Sequence, residues 1–242
     1  MLRKTFCHID GISERTEKII LDDGIKDWDY FIENFDKINC LPKKKLGKIK
    51  NEILFSKKML DENNLNYFKQ KIPSKLHYRL FNHGKIAYLD IETTGLSRYT
   101  DQITMIGIYD GEIAKSYIAG IDLEEGYKKL EEFDIVVTFN GKTFDMPFIE
   151  YKADKKYDLI HLDLRFLLKE FGFSGGLKNI EKELGITRDD EVVGVDGFEA
   201  VRLWRRYKNG DENALRKLLI YNKEDIVNLK FLLDFYLEKR KI

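Results

Sequence analysis

The sequence contains few cysteines and prolines, no excess of charge of either sign and no long apolar run. Cys7 and Cys40 are the only cysteines among the 242 residues and form no C-x-x-C motif, so a zinc site is not expected. No stretch of 18 apolar residues occurs, and the N-terminus lacks the apolar segment of a signal peptide. We therefore expect a soluble cytoplasmic protein with reduced thiols and no membrane contact.

The balance of charge limits the classes of partner. Lys+Arg and Asp+Glu both number 42, so the net charge is zero and only a local patch could attract a strongly charged partner. The length suits one full domain with a small appendage, and a hydrophobic content of 43% is that of an ordinary globular core. Nothing in the sequence indicates an organic cofactor.

Residues 1–42 are expected to form a small helical module. Ser13 can cap one short helix that ends at Gly24, and Asp27 starts a second. The pattern G-I-x-x-x-T-E-x-x-I-x-x-x-G-I resembles a helix-hairpin-helix element, which presents backbone N–H groups to a nucleic-acid phosphate. The alternative is a packing module without a ligand. Its core would then comprise Ile12, Ile19, Ile20, Ile25, Trp28 and Phe31.

Residues 43–82 are expected to form a basic, helical connector. The run K-K-K-L-G-K-I-K at Lys43–Lys50 could attract a phosphate backbone, although such a run is more often simply solvated. Polar helical segments follow and are interrupted at Pro73.

From residue 83 to residue 242, strand-forming segments alternate with helical ones. Asp110-Gly111 between two of the strands indicates a two-residue hairpin. This order predicts an α/β domain with a mixed sheet flanked by helices. The expected strands are Ile86–Ile91, Ile103–Tyr109, Ile113–Ala119, Ile135–Phe139 and Leu159–Leu164. The expected later helices are Leu177–Leu184, Phe198–Tyr207 and Asn213–Leu237.

Two carboxylates stand at the end of the first expected strand, in the segment Y-L-D-I-E-T-T-G. Asp90 and Glu92 are two residues apart and therefore point to the same face. Neighbouring carboxylates repel each other and resist burial, and a hard divalent cation such as Mg²⁺ or Mn²⁺ would relieve both problems. The alternative is an exposed strand end with two incidental acids.

A second acid, Asp145, follows the expected strand Ile135–Phe139 and the turn Asn140-Gly141. A helix N-cap accounts for its residue type, and Pro147 suits an early helical position. The end of a buried strand is also where α/β folds place ligands, so both roles are compatible.

The last expected helix carries a third acid. Asp225 lies at the edge of an apolar stripe of helical spacing, and Tyr221 lies one turn before it on the same face. A carboxylate there needs a partner. The candidates are a lysine, Lys178 or Lys223, or a metal ion.

Taken together, D-I-E-T-T-G, N-G-K-T-F-D and Y-N-K-E-D resemble the three exonuclease motifs of the DEDD superfamily, which has a ribonuclease H-like fold. Asp90 and Glu92 match the first motif, Asp145 the second, and Tyr221 and Asp225 the third. The segment T-F-N-G-K-T-F-D-M-P-F is also similar to the proofreading domain of family-B DNA polymerases. The arrangement as a whole, including the N-terminal module, resembles the YprB-like ribonuclease-H-fold family. The likeness to the catalytic domain covers roughly residues 83–242.

The third motif distinguishes two subtypes of the superfamily. The histidine subtype has His five residues before the last aspartate, where this sequence has Ile220. The sequence therefore resembles the tyrosine subtype.

The resemblance implies a 3′–5′ exonuclease that hydrolyses single-stranded nucleic acid with two divalent cations, Mg²⁺ or Mn²⁺. Asp90 would bridge both ions, Glu92 and Asp225 would complete one site, and Asp145 would hold the other ion. Tyr221 would orient the attacking water, since a phenol is a poor base at neutral pH. The residues that would contact the terminal nucleotide are Thr93, Thr94, Gly95, Leu96, Asn140 and Phe144.

The expected partner is thus the 3′ end of single-stranded DNA or RNA, with DNA favoured. Two alternatives remain at this point. One is a structure-selective endonuclease on the same fold, and the other is a nucleic-acid-binding accessory protein without catalysis.

Overall fold

The computed structural model describes residues 1–240, which belong to two compact units. The first unit is Met1–Gly84, and the second begins at Lys85. The helix-hairpin-helix-like module and the basic connector expected from the sequence both lie in the first unit. No helix in the described part of the chain is long and apolar enough to cross a membrane.

The first unit is entirely helical. Ser13 and Asp27 cap its first two α-helices, as predicted, by accepting hydrogen bonds from the backbone N–H groups of Thr16 and Tyr30. The α-helices are α1 (Glu14–Asp22), α2 (Trp28–Glu33), α3 (Lys43–Asp61) and α4 (Leu65–Lys71). Short 3₁₀ helices cover Leu2–Lys4, Phe35–Lys37 and Ser74–His83.

Residues of the expected module (1–42) and of the expected connector (43–82) together form the core of this unit. The indole of Trp28 in α2 is fully buried and stacks on Phe68 of α4, with ring centroids 6.2 Å apart. Five of the six expected core residues are buried, but Ile19 is 43% exposed because it lies on the outer face of α1. The basic run forms the first turns of α3.

The second unit is built on one five-stranded mixed sheet with the strand order β3-β2-β1-β4-β5. The strand β1 pairs antiparallel with β2 and parallel with β4, which places it at the centre. The strands are β1 (Ile86–Thr93), β2 (Ile103–Tyr109), β3 (Ala114–Ile118), β4 (Ile135–Thr138) and β5 (Ile160–Asp163).

The hairpin between β2 and β3 differs from the prediction. Residues 110–113 form a four-residue loop, because Asp110 Oδ1 accepts hydrogen bonds from the N–H groups of both Glu112 and Ile113. The prediction of a two-residue turn at Asp110-Gly111 was therefore wrong.

Helices cover both faces of the sheet. Asp145 is the first residue of α6 rather than its N-cap, which is Phe144. Asp163 caps α7 by accepting a hydrogen bond from the backbone N–H of Arg165. The helices are α5 (Leu123–Lys129), α6 (Asp145–Lys152), α7 (Leu164–Leu168), α8 (Leu177–Glu183), α9 (Gly197–Lys208) and α10 (Glu212–Lys239).

The alternation of side chains along β1 decides where its acids point. Ala87, Leu89 and Ile91 pack in the apolar cluster formed with α5 and α6. Asp90 and Glu92 therefore project to the opposite face, which α9 and α10 cover. The same face of the sheet thus holds the acids of β1 and the side chains of α10.

Candidate active site

Three carboxylates meet between β1 and α10. Oxygen atoms of Asp90, Glu92 and Asp225 lie within 4.8 Å of one another. The period-2 geometry of β1 places the first two on one face, and packing of α10 across the central strand brings the third to them. Three carboxylates at this separation form a donor set that suits a hard divalent cation.

Asp145 approaches the same strand end from α6. It is buried, and its Oδ1 accepts a hydrogen bond from the Ile91 N–H at 3.2 Å. It lies outside the group of three, although its charge raises the pKa values of Asp90 and Glu92. The structure therefore brings all four acids predicted from the motifs to one end of β1.

The electrostatics of these acids favour a bound cation. Burial, followed by repulsion from Asp225, raises the pKa values of Asp90 and Glu92 well above their ordinary range. Burial also raises the pKa of Asp145 to about 7. Glu92 Oε1 is buried and accepts no hydrogen bond from any described residue. A divalent cation would supply the missing partner and offset the repulsion, so the residues fit the expected metal ions.

Asn222 holds Asp90 in place, and the sequence analysis did not identify it. Its Nδ2 donates to Asp90 Oδ2 at 3.2 Å, while its Oδ1 accepts from Ser116 Oγ at 2.7 Å. Gly107 lies opposite Asp90 in β2, and a Cβ there would stand 2.2 Å from Asn222 Oδ1. The absence of a side chain at this position makes room for the amide that orients Asp90.

A Gly107→Ala variant tests this support. We expect Asn222 to be displaced, with a loss of about 1–3 kcal/mol of unfolding free energy from overpacking, and a fall in activity because Asp90 loses its hydrogen bond. Thermal unfolding and turnover measure the two effects. Gly47→Ala in α3 is the control, since no atom lies within 4 Å of the added Cβ. Normal stability and activity of Gly107→Ala would contradict the proposed support.

Arg188 is the ion-pair partner of Asp225. Its Nη2 lies 2.5 Å from Asp225 Oδ1, and its Nε and Nη2 donate to the two carboxylate oxygens of Glu181 at 2.7 Å. Lys178 and Lys223 are the lysines that the sequence offers for this role. Lys223 is exposed, because two residues along a helix point to different faces. Arg188 lies in a loop, and no local pattern could have identified it.

Tyr221 is buried beside the acids and under two cations. Lys178 Nζ lies 4.4 Å from the centre of its ring, and the guanidinium carbon of Arg188 lies 5.8 Å from it. Burial, followed by the charge of Asp225, raises the pKa of Tyr221 well above its ordinary range. Its hydroxyl therefore stays protonated and acts as a hydrogen-bond donor or acceptor, not as a base.

A cleft of about 660 Å³ opens beside Glu92. Five of the six residues expected to contact the terminal nucleotide line it: Thr93, Thr94, Gly95, Leu96 and Phe144.

Asn140 is absent from the lining of this cleft. Its backbone N–H donates to Asp163, and its Oδ1 accepts from Arg165 at 2.7 Å. Its φ of 67° lies in the left-handed region, which asparagine tolerates better than most residues. These contacts give Asn140 a role in shaping the turn after β4.

The opposite wall of the cleft comes from the start of α9, which the sequence analysis had treated only as a helix. Its lining residues include Phe198, Val201, Arg202 and Arg205. Phe198 is 74% exposed, so its ring is open to the cleft side of the protein. The sequence shows an aromatic residue followed by two arginines one and two turns on, but nothing in that spacing places this face of α9 at the cleft.

Comparison with solved structures finds a similar fold in a family B DNA polymerase from the hyperthermophilic archaeon Pyrobaculum calidifontis, at 16% identity and a TM-score of 0.51. The match covers 64% of this chain and 24% of that chain, so the protein spans about a quarter of the polymerase. A structure titled "apo form of the nuclease" matches at 15% identity and a TM-score of 0.44, covering 70% of this chain and 80% of that one. Comparison with curated proteins gives no match.

A match to a family model identifies the superfamily of the chain. The RNase_H_2 model of the RNase_H superfamily matches residues 87–236, which is more than half of the chain and includes every acid of the site. The predicted ribonuclease H-like fold is confirmed, whereas the tyrosine subtype and the YprB-like assignment stay predictions. The protein belongs to the RNase_H superfamily.

Proposed function

We propose that the protein is a metal-dependent 3′–5′ exonuclease acting on single-stranded nucleic acid, with DNA favoured over RNA. The observation that supports this most is the acidic group of Asp90, Glu92 and Asp225, in which Glu92 and Asp225 are buried and Asp90 is half-buried. Among the described residues only Asp225 of the three forms an ion pair, with Arg188. A purely structural role would be better served by apolar side chains, since buried like charges are costly.

The four acids would hold two divalent cations, Mg²⁺ or Mn²⁺. When bound, such ions lower the pKa of water and stabilise the leaving oxygen of a phosphodiester. Other side chains of the protein orient the metal-binding carboxylates and the attacking water. Asn222 fixes the Asp90 carboxylate, Arg188 fixes that of Asp225, and Tyr221 lies beside both acids with a protonated hydroxyl that can position the attacking water.

The cleft beside Glu92 would hold the terminal nucleotide. Its walls combine an apolar residue from the loop after β1, Leu96, with the aromatic rings of Phe144 and Phe198. A base must be unpaired to stack between such side chains, which favours single strands or frayed ends.

A digest of 5′-labelled DNA and RNA oligonucleotides tests the proposal. With Mg²⁺ or Mn²⁺ we expect products that shorten one nucleotide at a time from the 3′ end, and no products in EDTA. An Asp90→Asn protein purified in parallel controls for a contaminating nuclease. Full activity in EDTA would contradict metal dependence.

The same assay separates exonuclease from endonuclease action. A sealed circular single strand has no 3′ end, so we expect it to resist cleavage. Equal rates on circular and linear strands would instead identify an endonuclease.

A further inference from the structure

The cleft beside Glu92 continues away from the acids into a second surface. A neighbouring cleft shares Leu96 and Phe144 with it and adds Arg98 and Tyr99. A third depression shares Arg98 and Tyr99 in turn. It is also lined by Pro147, Glu150, Tyr151, Asp154, Lys155 and Lys156. We call this third depression the outer groove. The shared lining residues place the outer groove next to that neighbouring cleft, which in turn adjoins the cleft beside Glu92.

Two tyrosines stand exposed in the outer groove. Tyr99 from the loop after β1 is 65% exposed and Tyr151 from α6 is 49% exposed, and their ring centroids are 5.1 Å apart in an edge-to-face arrangement. Burial of these rings does not hold the fold together, because about half or more of each remains in solvent. Exposed aromatic rings beside a catalytic cleft suit stacking with nucleobases.

Cationic groups accompany the tyrosines. The guanidinium carbon of Arg98 lies 5.1 Å from the centre of the Tyr99 ring, and its Nη2 donates to Tyr99 Oη at 3.1 Å. No acidic residue in the described part of the chain forms an ion pair with Arg98. Lys155 pairs with Glu131 at 2.6 Å, and Lys156 pairs with Glu150. Both lysine pairs are at the surface, where such ion pairs are weak and a phosphate could compete. Arg98 is therefore the cation best placed for a phosphate.

We propose that the outer groove binds the unpaired strand that leads into the active site, several nucleotides before its 3′ end. This inference rests on the proposed exonuclease function. Tyr99 and Tyr151 stack bases, and Arg98 contacts the phosphate backbone. Stacking and backbone contacts do not distinguish bases, so this binding is independent of sequence.

The test compares a long and a short substrate of the same reaction. The long substrate is a linear oligothymidylate of about 15 nucleotides, a length that a single-strand groove can span. The short one is the p-nitrophenyl ester of thymidine 5′-monophosphate, which is too small to reach the outer groove. For a Tyr99→Ala/Tyr151→Ala variant we expect KM for the oligonucleotide to rise by at least the roughly 5- to 150-fold that corresponds to losing one stacked base, with kcat unchanged. Hydrolysis of the ester should change little.

Two further variants provide a control for the loss of an exposed ring and a test of the phosphate contact. Phe231→Ala removes an aromatic ring that is 55% exposed on α10 and lines none of these clefts, so it should leave both substrates unaffected. Arg98→Gln should weaken oligonucleotide binding. The number of counterions released on binding, measured from the dependence of affinity on salt concentration, should fall by about one.

Binding of the same oligonucleotide in EDTA, followed by fluorescence anisotropy, separates this inference from the proposed function. If the parent protein binds the oligonucleotide but does not hydrolyse it, the exonuclease proposal fails. The affinity of the double variant then still shows whether the outer groove binds the strand. If the parent hydrolyses both substrates and the double variant binds and cleaves the oligonucleotide normally, the groove proposal is overturned alone. A parent that neither binds nor hydrolyses overturns both.

Discussion

An Asp225→Asn variant is expected to lose on the order of 10³-fold or more in the rate of phosphodiester hydrolysis. A bound metal contributes several kcal/mol of transition-state stabilisation, and about 4 kcal/mol corresponds to a thousandfold in rate. Asparagine keeps the shape of the side chain but removes the charge that Asp225 contributes to the acidic group. Arg188 keeps its two hydrogen bonds to Glu181, so the variant should remain folded.

Metal binding provides a second measurement for the same variant. Mn²⁺ should raise the unfolding temperature of the parent protein, because a ligand that binds only the folded state stabilises it. The Asp225→Asn variant should show a smaller shift.

Asp234→Asn on the same helix is the matched control for Asp225→Asn. Asp234 forms a surface ion pair with Lys230 at 2.7 Å, so its loss should cost about 1 kcal/mol or less of stability and leave the rate unchanged. An Asp225→Asn protein with parental rate and parental response to Mn²⁺ would remove Asp225 from the metal site.

A Tyr221→Phe variant is expected to lose roughly 10²- to 10³-fold in rate, the usual effect of deleting one positioned hydrogen bond in a catalytic site. The change removes only the hydroxyl. The ring remains in the core between β2 and α10, and the contact with Lys178 remains. Mn²⁺ affinity should therefore stay close to that of the parent, which distinguishes this variant from Asp225→Asn.

Tyr236→Phe supplies the control for removing a buried hydroxyl. Tyr236 is fully buried on the same helix, and its Oη donates to Glu170 at 3.2 Å. Because the partner is a carboxylate, loss of this hydrogen bond should cost about 1.5–3 kcal/mol of stability, with no effect on rate. If Tyr221→Phe behaves in the same way, the tyrosine is a packing residue without a part in hydrolysis.

The sequence by itself determined the order of elements and the motif acids. Period-2 alternation along β1 places Asp90 and Glu92 on one face, and helical spacing places Tyr221 and Asp225 on one face of α10. These are relations between residues near each other in the chain, and local geometry is sufficient to derive them. The caps at Ser13 and Asp27 could be derived from the sequence for the same reason.

Local patterns were insufficient to predict the length of one loop and the buried face of one helix. The side chain of Asp110 bonds two successive N–H groups and opens the hairpin to four residues. Ile19 is apolar but exposed, since the packing partners of α1 determine which of its faces is covered.

Only the tertiary structure decided what supports the acids and what surrounds the substrate cleft. Asn222 reaches Asp90 through the space left by Gly107, and Arg188 reaches Asp225 from a loop 37 residues earlier in the chain. Phe198 and Arg205 come to the cleft beside Glu92 because α9 and α10 pack together on the same face of the sheet. Such contacts depend on how distant segments pack, and no spacing within either segment encodes them.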